Sequence, residues 1–328
     1  MTERTTLTRF TPLPRPNTPE GDPRRCGVEI EFTGLTESET ARLLARELGG
    51  KARCTDETDW EITGSKLGRI EIYLDTALRK SGSRTVRIAG MELGREVIPV
   101  EIVTEPLDLA GLEALDALRG PMRQEGAQGS SAHVFYGFGL HLNIQIASED
   151  AAGITRPLLA YALIEDWMRR ALPIDDSRKV LPFTAPYPTR LVADLARLGP
   201  DATPDRVQGT YLDHLQSRNF GLDMLPIFAW RDPQTVERAL GPDHGTGARP
   251  AFHFRLPDCR IDDPGWSFAD EWNRWLLVER IAEDTVLLQR LAGEWLDSHG
   301  PITLNRQNWA RRCGALLEDS GLELPQCP

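Results

Sequence analysis

Five well-separated runs of this sequence alternate apolar and polar residues with period two, and no other feature constrains the fold as much. The first is Cys26-Gly27-Val28-Glu29-Ile30-Glu31-Phe32. Successive side chains of a strand point to opposite faces, so Val28, Ile30 and Phe32 share one side, with Glu29 and Glu31 on the other, roughly 6.5–7 Å apart. Residues 70–75 place Glu71, Tyr73 and Asp75 opposite Ile70, Ile72 and Leu74. In 97–104, Glu101 points away from Ile98, Val100 and Ile102, and Pro99 suits a strand start or edge. Residues 139–146 present His141, Asn143 and Gln145 on one side, and 252–256 present His253 and Arg255. Helical stretches separate these runs, which predicts an α+β fold whose sheet buries one face.

The other face then gathers Glu29, Glu31, Glu71, Tyr73, Asp75, Glu101, His141, Asn143, Gln145, His253 and Arg255. A solvated sheet face usually mixes acids with lysine, yet no lysine is among these residues. Carboxylates held this close repel one another unless a cation lies between them, and Mg²⁺ and Mn²⁺ prefer such oxygens, with imidazole acceptable to Mn²⁺. Arg255 adds a permanently charged fork suited to a phosphoryl group. Each member alone has a plainer reading: Glu71 and Asp75 as solvated acids, His141 as a hydrogen-bonded core histidine, Arg255 as the partner of a buried acid. The joint pattern across five strands is what points to a metal site.

Elsewhere the sequence mainly sets limits. A formal net charge of -11 argues against nucleic acid or an anionic membrane as partner. Five scattered cysteines without a C-x-x-C pair suggest reduced thiols, and with no apolar leader or membrane span the expected location is the cytoplasm. There is no Gly-rich phosphate loop and no nucleophile elbow. Residues 1–24, with five prolines, read as a strap or tail, 25–298 as one domain, and 299–328 as a helical extension packed on it. Thr36 and Glu39 predict a capping box for a helix ending at Gly49-Gly50. Asp108 caps a short helix, 120–132 reads as a mobile loop, and further helices are expected at 154–172, 189–198, 203–216 and 305–318. The proline-containing stretch 218–250 reads as one long irregular loop, and Ser267 opens a single helix through about Leu296 whose tryptophans and leucines are core.

Four of these motifs also carry a resemblance. Gly27–Phe32, 100–107 (VEIVTEPL), 139–143 (GLHLN) and 252–258 (FHFRLPD) occur in the order seen in the amidoligases, a family of the carboxylate–amine ligase superfamily that includes glutamine synthetase and glutamate–cysteine ligase. The similarity spans roughly residues 24 to 290. It implies an antiparallel curved sheet of the glutamine synthetase catalytic type, packed by helices on its convex face, with Mg²⁺ or Mn²⁺ ions around ATP on the concave one. Carried over by motif, Glu29, Glu31, Glu101 and His141 become metal ligands and Arg255 the residue that holds the transferring phosphate of ATP. His253 stands where glutamine synthetase has a metal-binding Glu and is expected in the metal set, Asn143 replaces a second His of some relatives, and Tyr73 falls near a place where an acid is expected, with Asp75 the metal-ligand candidate of that strand.

The implied reaction joins a small-molecule amino acid or peptide carboxylate to an amine through an acyl phosphate. Arg255 and Glu101 are the catalytic candidates, with a carboxylate accepting the amine's proton, and Asn143, Arg218 and Asn219 are candidate substrate contacts. Two alternatives stay open: a kinase-type phosphotransferase on the same face, and a non-catalytic binding member of the family.

Overall fold

The computed structural model describes residues 9–56, 58–74, 98–130, 137–172, 184–215, 217–299 and 306–324. Within them the strands β1 (Cys26–Phe32), β2 (Lys51–Cys54), β3 (Trp60–Ser65), β4 (Gly68–Leu74), β5 (Val100–Thr104), β6 (Leu140–Gln145), β7 (Leu222–Asp223) and β8 (Ala251–Phe254) form one sheet. Its order is β2-β3-β4-β5-β1-β6-β8-β7, and every pairing is antiparallel. The five predicted runs contribute β4, β5, β1, β6 and β8, which are consecutive in the sheet. The edge hairpin β2–β3 and the two-residue β7 were not anticipated. β2, of sequence Lys-Ala-Arg-Cys, carries the charged residues that guard an exposed edge and therefore lacks an apolar face to read.

Helices cover the apolar side. Helix α1 (Glu37–Leu48) packs on β3 and β4 and begins with the expected Thr36/Glu39 capping box. Short helices α2 (Leu109–Asp116) and α3 (Arg119–Gln124) follow β5, so the start of the predicted mobile loop is helical. A single π turn (Ala151–Thr155) leads into α4 (Arg156–Ala171), which is buried on nearly every side. Helix α5 (Thr189–Leu198) and helix α6 (Pro204–His214) match their sequence patterns.

Two expectations fail for identifiable reasons. Residues 218–250 are not one loop: they contain β7, α7 (Leu225–Arg231) and α8 (Pro233–Leu240). Pro226 and Pro233 stand in the first turns of these helices, where the missing N–H costs nothing, so prolines that looked like loop markers are helix starters. The single helix expected after Ser267 is two, α9 (Phe268–Glu283) and α10 (Thr285–Ser298). Asp284 leaves helical geometry, and its side chain accepts the Leu287 amide at 2.9 Å, ending one helix by capping the next. The last helix, α11 (Gln307–Asp319), is pinned by the Trp309 indole donating to the Leu163 carbonyl of α4.

The sheet is clamped to α4 and α9 by rings. Phe252 and Phe254 pack on Trp275 with centroids 4.9 and 5.5 Å away, and Tyr161 meets Phe254 at 6.1 Å. Among the described residues no helix is long and apolar enough to cross a membrane. Residues 9–24 lie against this core as a strap, burying Phe10 and Leu13, with the Trp272 indole donating to the Thr11 carbonyl. Arg24 anchors the strap through a bidentate bond to Glu279 on α9 at 2.8 and 2.7 Å, with both side chains buried. Removing one partner of such a pair strands a buried charge, so Arg24→Met is expected to cost about 3–5 kcal/mol in urea unfolding, with much of the loss recovered in Arg24→Met/Glu279→Leu. Equal losses in the single and double variants would contradict this account of the clamp.

Candidate metal centre

The register of the central strands assembles the polar face. Glu29 stands opposite His141 on β6, Asn143 opposite His253 on β8, and Asp223 on β7 opposite the same His253. On the other side Glu31 stands directly opposite Glu101 on β5, which in turn faces Tyr73 on β4. Directly opposed residues have Cβ atoms ~4.5–5.5 Å apart, so the last arrangement puts two carboxylates against each other. Glu101 is buried, and the Glu29 and Glu31 side chains are mostly so.

Glu29, His141 and His253 form the centre of the cluster, each offering a ligand atom within 4.8 Å of the others. His141 Nδ1 lies 3.2 Å from Glu29 Oε2, while its Nε2 is 3.8 Å from Glu31 Oε1. His253 Nε2 lies 3.6 Å from the same Glu29 oxygen and its Nδ1 3.5 Å from Asp223 Oδ2. Both imidazoles are thus held between two carboxylates. A neutral His141 ring has one N–H and one lone pair, so it turns a lone pair toward one of its two carboxylates, a repulsive contact that a shared cation would convert into two ligand bonds. Both ring nitrogens of His253 are buried as well, and their contacts to the Glu29 and Asp223 oxygens are longer than the usual hydrogen bond.

Several local features hold these groups. The Gly139 amide donates to Glu31 Oε2 at 2.7 Å, and the Asn143 amide donates to Glu29 Oε1 at 2.8 Å. Asp223, fully buried, accepts from the Leu225 amide at 3.0 Å and from Arg218 Nε at 3.1 Å, so it is aimed at His253 as an orienting carboxylate. Gly221 lets this corner form: a Cβ there would lie 2.2 Å from the Tyr161 hydroxyl, and the Gly221 carbonyl takes the Arg255 and Leu256 amides at 2.9 and 3.1 Å. The electrostatics match cation binding. Burial pushes the Glu29 carboxyl up, but the facing His253 and His141 outweigh it and hold the group well below the usual range. Burial lowers His141, reinforced by Arg255 and opposed by Glu31 and Glu29, which favours the neutral ring. Burial likewise raises Asp223, and His253, Arg218 and Arg255 more than offset it.

Of the residues singled out in the sequence, Glu29, Glu31, His141, His253, Asn143 and Glu101 share this face, and Arg255 lies beside His141 at its end, donating to the Arg218 carbonyl at 3.1 Å. Asp75 lies outside the described residues. Arg218 is engaged by Asp223, and no hydrogen bond among the described residues ties the Asn219 side chain to the cluster. Asp223 and Arg249 belong to the site and were missed. Asp223 sits in a two-residue strand and Arg249 in irregular backbone, so neither carries a periodic signal.

The fold and site define an α+β protein whose sheet carries a carboxylate–imidazole cluster of three side chains that could hold a metal ion. Residues 22–277, more than three quarters of the 328-residue chain, match the family model described as "Putative amidoligase enzyme", and the chain belongs to that family. Every residue of the cluster lies inside the matched span. No curated protein and no solved structure matches the chain.

These shifts fix the sign of the cluster's own contribution to the pH dependence, while Asp166, raised by burial to about 6, pulls the other way. A depressed pKa means that the unfolded chain binds more protons, so stability rises with pH. The His141 contribution is complete above its ordinary value of 6.5, and the Glu29 and Asp223 contributions above 4.5 and 3.8, each being lost on acidification through its folded pKa. The gap in urea midpoint between the metal-free wild type and Glu29→Gln should therefore shrink as the pH falls below about 4.5, where the wild type loses the contribution of its carboxylate. A gap that widens on acidification would contradict the depressed Glu29 carboxyl.

Proposed function

We propose that this protein is an ATP-dependent carboxylate–amine ligase that makes an amide bond through an acyl phosphate, on a sheet of the glutamine synthetase type. The observation that carries the reading is the pair of buried imidazoles, each held between two carboxylates, inside the segment that matches the amidoligase model. Glu29, His141 and His253 would hold a divalent cation, Mg²⁺ or Mn²⁺, with two imidazoles favouring Mn²⁺. Bound there, the ion would neutralise charge on a transferring phosphoryl group.

The chain's own residues supply the remainder. Arg255, beside His141, offers a guanidinium fork for the phosphoryl oxygens as a substrate carboxylate oxygen attacks the γ-phosphorus and ADP leaves. The amine nitrogen then attacks the acyl carbon, phosphate departs, and the proton released by nitrogen passes to a carboxylate, a role we assign to Glu101, which is buried opposite Glu31. Burial of the face limits the water that would hydrolyse the acyl phosphate. The substrates are a small-molecule amino acid or peptide carboxylate and an amine, and the reaction draws on cytoplasmic ATP.

The defining assay is ADP release from protein supplied with Mn²⁺ and ATP, which should require a carboxylate and an amine together. Release with a carboxylate alone, accompanied by a stable phosphorylated product, would replace the ligase with a kinase. Asp223→Asn leaves the three ligand side chains intact but removes the charge that orients His253, and it should weaken Mn²⁺ binding ~10–100-fold by calorimetry. Unchanged affinity would show that Asp223 plays no part in holding the ligand.

A further inference from the structure

Arg249 makes poor use of its fork in this structure. Its Nε and Nη2 both converge on one neutral atom, Asn143 Oδ1, with Nε at 3.1 Å. Asn143 in turn donates to Glu29, and Arg249 Nη2 stands 3.9 Å from Glu29 Oε1, beyond hydrogen-bond reach. A guanidinium edge matches two acceptor oxygens in a plane, and here the Nε–Nη2 edge has one amide oxygen and a distant carboxylate. Arg218 lies beside it. Its Nη1 donates to the Gly245 carbonyl while Arg249 Nη1 donates to that of Gly247, so one short loop carries both side chains, each 31% exposed. Burial lowers Arg249, and the nearby charges of Arg218 and Arg255 lower it further, against the opposing pull of Glu29 and Asp223. Three guanidiniums therefore converge on one end of the polar face.

We propose that Arg249 and Arg218 form an anion subsite beside the Glu29–His141–His253 cluster, which takes a carboxylate or phosphate group of a substrate once a cation occupies that cluster. The inference rests on the reading of the cluster as a cation site. The two ligands are linked through Glu29. A dication bound to Glu29 spends the carboxylate that now offsets Arg249 and adds repulsion of its own, so Arg249 is left facing solvent in need of a counter-charge. Asp223 cannot supply it, being committed to Arg218, His253 and the Leu225 amide. An incoming anion with paired oxygens can, by taking the fork from Asn143. Cation and anion then bind cooperatively, and the acid substrate, or the nucleotide, follows the metal. The two sources share one chemistry. A second anionic group on the acid to be activated and a phosphate of ATP each present two oxygens to the fork.

Calorimetry on the intact chain tests this with sulfate, succinate and a non-hydrolysable ATP analogue as probes, each with and without saturating Mn²⁺. In the wild type Mn²⁺ should strengthen binding of at least one probe tenfold or more. Arg249→Met should bind Mn²⁺ at least as tightly, which also shows that it is folded, and lose that gain, while Arg249→Lys, a point charge without a fork, should recover only part of it. Loss confined to succinate assigns the subsite to a second carboxylate of the acid substrate, and loss confined to the analogue assigns it to a nucleotide phosphate. If Arg249→Met keeps the full Mn²⁺-dependent gain for every probe, the subsite is wrong while the cation site stands. If the wild type binds no Mn²⁺, the subsite proposal and the cation reading fall together.

Discussion

The arrangement of this protein turns on one carboxylate. Glu29 sits near the middle of the sheet, facing both imidazoles and the Asn143 amide, and within a longer reach of Arg249. It is held ionised despite burial, which costs free energy that the surrounding partners must supply. Three of those partners, the two imidazoles and the Asn143 amide, are neutral or ambivalent donors, and one is a guanidinium at the edge of contact. This is the balance expected of a group that exchanges protein partners for a cation, and unlike that of Glu279, whose bidentate bond to Arg24 is complete.

The precision of the site comes from the opposite side of the sheet. Val28, Ile30, Phe252 and Phe254 are almost wholly buried, and a one-residue slip of β1 or β8 would turn them to the polar face. The apolar packing against α4 and α9 therefore sets the register that brings Glu29 opposite His141 and Asp223 opposite His253. Gly221 serves the same end from the edge, since only a residue without a Cβ lets β7 come close enough to Tyr161 for Asp223 to reach its histidine. A stable core and a chemically frustrated face are two sides of one set of strands.

Much of this face was legible in the sequence because strand alternation is a local rule. Glu29, Glu31, Glu101, His141, Asn143 and His253 are each assigned to it by parity alone. What parity does not supply is which strands are neighbours. Residues 29 and 253 are far apart in the chain, and they meet because β6 lies between β1 and β8. The prolines of 218–250 misled for a different reason: the same residue marks a loop or a helix's first turn, and the choice depends on whether the following apolar residues, here Leu225, Ile227 and Phe228, find a core to enter.

The sequence by itself determined the α+β class, the buried parity of the five central strands, the capping box of α1 and the acid-and-imidazole character of one face, since each follows from residues close together in the chain. Only the tertiary structure decided the sheet order, the division of the long C-terminal helix at Asp284, and the recruitment of Asp223 and Arg249. Those depend on burial and on contacts between distant segments, and an isolated aspartate or arginine carries no periodic mark of either. The same pair of residues adds a buried carboxylate beside His253 and a guanidinium on Asn143 to a row of polar side chains.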